Sequence, residues 1–385
     1  MRIVDIRERS VAISRYDDPS IPSGGLTTSA VALTTDVVRD GRAVVGYGFS
    51  SIGRFAQSGL IRERFAPRLL AAADASLANE DATNLDPFRA WATMMAGEKP
   101  GGHGERCVAV GTLDMALWDA AAKIAERPLD VFLAGLRGAA RPVCGSVAVY
   151  AGGGYPYPAD DASRLSDEVR RMVAHGYTRA KIKVGAAPLA TDLQRIAVAH
   201  NIVPDGRLAV DAMNGYDPVQ SIAAAAAFAP LDLWWFEDIT EPLDFATSAA
   251  VARIYPGPIA AGEALFSEAE AKLLHRYGGL RPDRDILLFD PVHCYGLPGF
   301  LRILDVLEAE GWPRSAFWPH GGHLFTLHVA AALELGGAEV NPFCFQPFGG
   351  LADGTAPAGG AASPPRIPGI GFEAKADLLR LFRSL

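Results

Sequence analysis

Five short apolar runs in this 385-residue chain each end on an ionisable residue: AKIK at Lys183, LAVD at Asp211, WWFE at Glu237, AAGE at Glu263 and AFWPH at His320. The acids stand 26 residues apart from Asp211 to Glu237 and 26 again from Glu237 to Glu263. That is about the length of one strand-loop-helix-loop unit, so the spacing predicts equivalent places in successive units. In a closed barrel of parallel strands the strand ends converge on one mouth, where three like charges repel unless a cation lies between them. Hard oxygen donors of this kind suit Mg2+, with Mn2+ as a second choice, and leave coordination positions open for substrate and water. A single strand-end acid commonly does no more than cap the next helix. Three at matched spacing predict a metal site built by Asp211, Glu237 and Glu263. Asp238 follows Glu237 directly and is expected to point elsewhere, since neighbours along a strand face opposite ways.

Lys181 and Lys183 are two apart on an apolar strand and share a face, which in a barrel can be the interior. Two ammonium groups near each other and near a divalent cation disfavour protonation, so one of them suits the role of base, and Lys183 is nearer the strand end. The competing reading is an outward pair lying along a helix surface. His320 ends one expected strand and Asp290 the strand before it. A carboxylate on one ring nitrogen fixes the tautomer and raises the basicity of the other, which makes His320 a candidate acid or base facing substrate from the side opposite Lys183. His323, three residues further on, is expected to pack or to cap the following helix. His293 and His103 carry weaker signals.

These groups need a scaffold. Strands are expected at CGSVAVY, RAKIKV, RLAVDA, LWWFE, PIAAGE, ILLFD, SAFWPH and NPFCFQ, with helical segments such as SDEVRRMVAHG and SEAEAKLLHRYG between them. Alternation of this type implies a parallel sheet, and eight units fit a (β/α)8 barrel. Ahead of it, VALTTDVV and AVVGYGF flank Arg39-Asp40-Gly41-Arg42, a plausible hairpin turn. RYDDPSIPSGGL reads as a mobile covering loop, and GTLDMALWDAAAKIAERPLDVFLAG as helix broken or restarted at Pro128. The expected division is an α+β capping domain over 1–140, a barrel over 141–350, and a tail over 351–385 that ends in the helix-like EAKADLLRLFRSL and packs back on the first domain.

With 49% hydrophobic residues and 36 Lys+Arg against 44 Asp+Glu, the composition is that of a globular protein of net charge -8. Nothing in that balance favours nucleic acid or an anionic membrane, so small molecules are the expected partners. MRIVDIRERS lacks the pattern of a signal peptide and no run approaches a membrane span, which leads to an expectation of cytoplasmic location. Cys107, Cys144, Cys294 and Cys344 are scattered and expected to be reduced, mostly buried thiols. Neither a dinucleotide fingerprint nor a P-loop is present.

Through GTLDMALWDAAAK, KIKVG, VDAMNG, WFED, GE and PHGGH, the chain resembles the mandelate racemase subgroup of the enolase superfamily nearly end to end. TTDVVRDGRAVVGYGF, GLIRERFAPRLL, GEKPGGHGER, RYGGLRPDRD, FQPFGG and LPGIGFE make it most similar, within that subgroup, to the D-tartrate dehydratase branch. The resemblance implies a TIM-like barrel with a capping domain, and Mg2+ on Asp211, Glu237 and Glu263. It implies Lys183 as the base that abstracts the α-proton, and His320, supported by Asp290, as the acid. It further implies Lys181 on the substrate carboxylate or metal-bound oxygens, and Lys99 reaching in from the cap. Two departures stand out: the Asp-x-Asn expected after the third strand is here Asp211-Ala-Met-Asn214, which leaves the role of Asn214 open, and SRYDDPSIPSGG does not match the covering loop of that branch.

The reaction so implied is loss of water from a hydroxy acid, D-tartrate to oxaloacetate, through a metal-stabilised enediolate, with His320 protonating the departing β-hydroxyl. Lys99 or Arg54 would meet a second carboxylate. A longer acid sugar, or racemisation of a 2-hydroxy acid with Lys183 and His320 exchanging protons on opposite faces, are alternatives. A non-catalytic metal-stabilised scaffold is a remoter one, because nothing structural requires Lys183, Asp290 and His320 at strand ends. A homo-oligomer is expected.

Overall fold

The computed structural model describes residues 1–138 and 145–385. Cys144 and the expected boundary at 140/141 lie outside the described residues. The chain begins with an antiparallel sheet of β1 (Ile3–Ala12), β2 (Thr27–Arg39) and β3 (Arg42–Phe49), in that order. Asp40 and Gly41, both at positive φ, form the two-residue turn that pairs Arg39 with Arg42, as the sequence predicts. Helices follow, the longest spanning Glu105–Ile124 and the next beginning at Leu129 after Pro128. Gly46 and Gly48 let β3 lie directly on that long helix, since a Cβ at either would strike the backbone carbonyl of Ala116 or Thr112. Gly111 of the same helix does the equivalent on its other side, against the carbonyl of Val292.

The second sheet is parallel apart from Ala361–Ala362, which pair antiparallel with Ala148 and Val147. Its staves run β10 (Ala338–Val340), β4 (Val147–Gly152), β5 (Ala180–Lys183), β6 (Leu208–Asp211), β7 (Phe236–Glu237), β8 (Ile259–Ala261) and β9 (Ile286–Leu287). The segment Phe317–His320 closes the ring. Phe317 bridges Leu287 in parallel sense, the N–H groups of Trp318 and His320 donate to the carbonyls of Leu287 and Leu288, and the Glu339 N–H donates to Pro319 O at 3.4 Å. The last stave is therefore AEV at 338–340, not the expected NPFCFQ, which runs on from it as a loop. The reason is visible in the pairing, because Glu339 and Val340 sit opposite Tyr150 and Ala151 of β4 while residues 342–346 have no strand partner.

Side chains alternate along each stave. In β6, Leu208 and Val210 join the large apolar cluster under the surrounding helices, whereas Ala209 and Asp211 face inward. Tyr150, Ala209, Trp235, Ala260, Leu288 and Trp318 form a separate inner cluster, the floor of the barrel. The C-terminal helix Ala376–Arg383 returns to the first sheet, stacking Phe382 on Tyr47 at 4.7 Å, and Arg9 donates to Ser384 Oγ at 3.0 Å. Among the described residues no helix is long and apolar enough to cross a membrane.

Candidate active site

The register places the chemistry. Lys183 of β5 pairs with Asp211 of β6, and Asp211 with Glu237 of β7, so the three side chains rise side by side above the floor. Glu263 does not share this row. Glu237 pairs with Ala260, and Glu263 lies in the turn beyond β8, delivered there by Gly262 at φ 124°. The equal spacing of 26 thus reflects equivalent places for Asp211 and Glu237 only, a correction to the expected equivalence of all three. The Glu263 side chain is accordingly 22% exposed, against 1% and 0% for Asp211 and Glu237. Even so, one ligand atom from each acid lies within 4.8 Å of the others.

Each inner acid has one oxygen held by an N–H donor and the other on a lysine ammonium. Asp211 Oδ1 accepts from the Met213 N–H at 2.7 Å and Glu237 Oε2 from Trp235 Nε1 at 2.7 Å. Asp211 Oδ2 meets the Lys183 ammonium, Glu237 Oε1 meets that of Lys181, and Glu263 Oε2 is buried with no hydrogen-bond partner. Lys181 also lies 3.4 Å from Asp211 Oδ2 and 3.3 Å from Glu339 Oε1. Both lysines face inward, which disposes of the surface reading. Burial works against the Glu237 acid ionising, the charges of Asp211 and Glu263 add to that, and its pKa lies well above the usual carboxylate range despite Lys181. Asp238, buried beside them with Oδ2 unpartnered, is raised by burial and then by Glu263 and Asp211. An excess of converging, under-neutralised hard oxygens fits a divalent cation held by Asp211, Glu237 and Glu263.

Burial also opposes the Lys183 ammonium, but Asp211 outweighs burial and holds its pKa above the ordinary lysine value. The base form expected of Lys183 belongs to the cation-bound site: a cation engaging Asp211 would remove the main cause and leave Lys181 as the opposing charge. The Tyr155 ring centroid lies 5.1 Å from the Lys183 Nζ, and the Arg15 guanidinium covers the same ring at 5.7 Å. Arg15 opens the covering loop. That loop is tied to the barrel by the Phe345 N–H donating to Ser14 O at 2.7 Å, by the Tyr16 hydroxyl donating to Pro156 O, and by an Arg171–Asp17 ion pair of 2.8 Å.

His320 stands across the mouth, with β10 and β4 between its segment and β5. Its Nδ1 donates to Asp290 Oδ2 at 2.9 Å and its Nε2 lies 3.6 Å from Glu263 Oε2. Burial lowers its proton affinity, yet Glu263 and the Asp290 hydrogen bond prevail and raise the pKa to about 9. Asp290 also accepts from Val292 N at 2.7 Å and from Ser51 Oγ at 2.6 Å. Ser51, in the left-handed region at φ 57°, meets His323 Nε2 at 3.0 Å, so the cap reaches the Asp290–His320 pair directly. His323 packs edge-on to Phe49 and makes no capping hydrogen bond.

The remaining candidates are spread out. Arg54 lies with its guanidinium 4.7 Å from the Phe266 ring centroid, and its charge acts on the buried His293. Asn214, at φ 58°, donates its side-chain amide to Thr240 O at 2.9 Å and its backbone N–H to Asp238 O. Lys99 is exposed and lines a separate cavity of about 660 Å3 with Trp91, Phe266 and Tyr295; no described contact joins it to the acids. His103 is engaged by the Tyr295 hydroxyl at 3.1 Å. Glu339, Ser51 and Tyr155 are the site residues sequence reasoning passes over. Glu339 sits mid-stave in a run of three, too short to show alternation, and its carboxyl, opposed by burial but favoured by Lys181, lies below its usual range.

A family model described as Enolase C-terminal domain-like matches residues 164–378, more than half of the chain. The chain is 28% identical over 237 residues to an arabinonate dehydratase of Saccharolobus solfataricus, 61% of this chain and 61% of that protein's length. It is 30% identical to a 3,6-anhydro-alpha-L-galactonate cycloisomerase of Streptomyces coelicolor, over 73% of this chain and 72% of that one. Among solved structures, the L-talarate dehydratase of Polaromonas sp. JS666, complexed with Mg and L-glucarate, superposes with a TM-score of 0.72 at 26% identity, covering 96% of this chain and 94% of that one.

Proposed function

Since the chain belongs to the enolase C-terminal domain-like family, we propose that it is a Mg2+-dependent hydro-lyase that removes water from a hydroxy acid. The observation that carries this reading is the pairing of two sets across one mouth: Lys183 in register with Asp211 and Glu237, and His320 held by Asp290. When bound to Asp211, Glu237 and Glu263, the divalent cation supplies Lewis-acid stabilisation of the charge that develops on the substrate carboxylate.

The chain's own residues do the rest. Lys183 Nζ takes the proton α to the carboxylate. Lys181, anchored by Glu237 and Glu339, donates to the substrate carboxylate, and the barrel floor beneath it excludes water. His320, protonated at neutral pH with Asp290 fixing its Nδ1–H, gives its Nε2 proton to the β-hydroxyl, which leaves as water. The enol so formed becomes a 2-keto acid.

The substrate we propose is D-tartrate, converted to oxaloacetate. Arg15 beside Tyr155 and Arg54 beside Phe266 supply cations at the rim for a second carboxylate, each contact worth about 1.5 to 3 kcal/mol if well desolvated. A longer acid sugar is the second reading, favoured by the arabinonate and L-talarate dehydratases among the similar proteins. Comparison of kcat/KM for D-tartrate with values for aldonic and aldaric acids decides between them. Efficient water loss from a six-carbon acid beside negligible turnover of D-tartrate would reject the diacid while leaving the mechanism standing.

A further inference from the structure

A second group of ligand-type side chains comes together behind His320. Asp290, His293 and His320 offer donor atoms that all lie within 4.8 Å of one another, and the three residues are 0%, 2% and 6% exposed. Asp290 Oδ2 is the hub, 2.9 Å from His320 Nδ1 and 3.8 Å from His293 Nε2. His293 Nδ1 lies 3.4 Å from the backbone carbonyl of Glu263, which can only accept, so Nδ1 carries the hydrogen and, in the neutral ring, Nε2 bears a lone pair. That Nε2 is buried without a hydrogen-bond partner. A lone pair thus faces a carboxylate oxygen across 3.8 Å in a place closed to water, an unfavourable pairing unless a positive centre lies between.

We propose that Asp290, His293 and His320 form a second metal site, distinct from the three acids, that takes a borderline divalent ion such as Zn2+ and thereby silences His320. Two imidazole nitrogens and one carboxylate oxygen make a donor set that suits Zn2+ and not Mg2+, whereas the all-oxygen set of Asp211, Glu237 and Glu263 has the opposite preference. At Zn–N and Zn–O distances of roughly 2.0 to 2.1 Å, tetrahedral donors stand about 3.3 Å apart, between the 2.9 and 3.8 Å found here. Ser51 Oγ, 2.6 Å from Asp290 Oδ2 and itself engaged by His323, steadies the carboxylate from behind. The ion replaces the Nδ1 proton of His320, which leaves to solvent. Loss of turnover on binding rests on His320 being the acid; the binding itself does not.

The test uses the full-length protein saturated with Mg2+. Calorimetric titration with Zn2+ is expected to show one further equivalent bound, and Co2+ in its place to give the strong visible absorption of a nitrogen-bearing site of low coordination number. His293→Gln should weaken that binding by at least about tenfold and remove the Co2+ band, while Glu263→Gln should retain both. Side-chain NMR of the unsubstituted protein should show His293 and His320 shifting together with Zn2+, which keeps the test decisive should a variant fold poorly. Absence of a further equivalent, binding indifferent to His293→Gln, or binding lost in Glu263→Gln would overturn the site. Zn2+ bound at the three residues with undiminished turnover would uphold the site and refute His320 as the acid.

Discussion

Lys183 and Asp211 are register partners on adjacent parallel strands, and the ammonium of one lies on the carboxylate of the other. Proposed base and proposed metal ligand therefore share a single contact, and occupation of the metal site governs the charge on the base. Asp211→Asn should weaken Mg2+ binding by at least about tenfold and also lower the Lys183 pKa, since Asp211 is what offsets burial there. Calorimetry and the pH dependence of Lys183 modification measure the two. A Lys183 pKa unchanged in this variant would show that the contact does not control the base.

In the proposed mechanism Lys183 and His320 act on different bonds, so their removal should be separable. His320→Asn is expected to lose at least about a hundredfold in water loss yet to keep exchange of the substrate α-proton with solvent deuterium, whereas Lys183→Ala should lose both. Normal dehydration by His320→Asn would assign the acid to another residue.

His320 has a pKa of about 9 against an ordinary 6.5, with Glu263 the largest favourable cause. Because the folded value is the higher one, protonation contributes stability that is fully present below about 6.5 and lost as pH rises through about 9. Mg2+ on Glu263 should draw the value downward. NMR titration of the imidazole with and without Mg2+ checks this, and an upward or absent shift would separate Glu263 from the metal.

Gly111 allows the long helix of the cap to touch the Val292 carbonyl, within the segment that carries Asp290 and His293. Gly111→Ala should cost about 1 to 3 kcal/mol of stability through overpacking and displace that segment, so that kcat falls more than KM rises. Thermal unfolding together with kinetics tests it. An unchanged Tm would mean the two elements part without cost.

The inward row was legible because β-strand alternation and strand-end position are local: Lys181, Lys183, Asp211 and Glu237 all face the barrel interior as their spacing implies. The equal spacing of Glu263 conceals a turn beyond β8, so its place above the barrel is only partly legible. Glu339 and Ser51 were not legible. The first lies on a three-residue stave whose existence depends on pairing with β4, and the second gains its contact only when the cap closes on Asp290. Lys99 reads from sequence as a substrate contact, but it lines another cavity because Arg106 and Tyr295 hold that loop.

The most direct test of metal-dependent water loss by Lys183 and its partners is 2-keto acid formation from D-tartrate and a panel of aldonic and aldaric acids, followed with Mg2+, with EDTA, and with EDTA and restored Mg2+. Keto acid is expected from at least one of these acids, abolished by EDTA, restored by Mg2+ and absent in Lys183→Ala. Turnover that persists undiminished in EDTA or in Lys183→Ala, or no keto acid from any member of the panel, would contradict this mechanism.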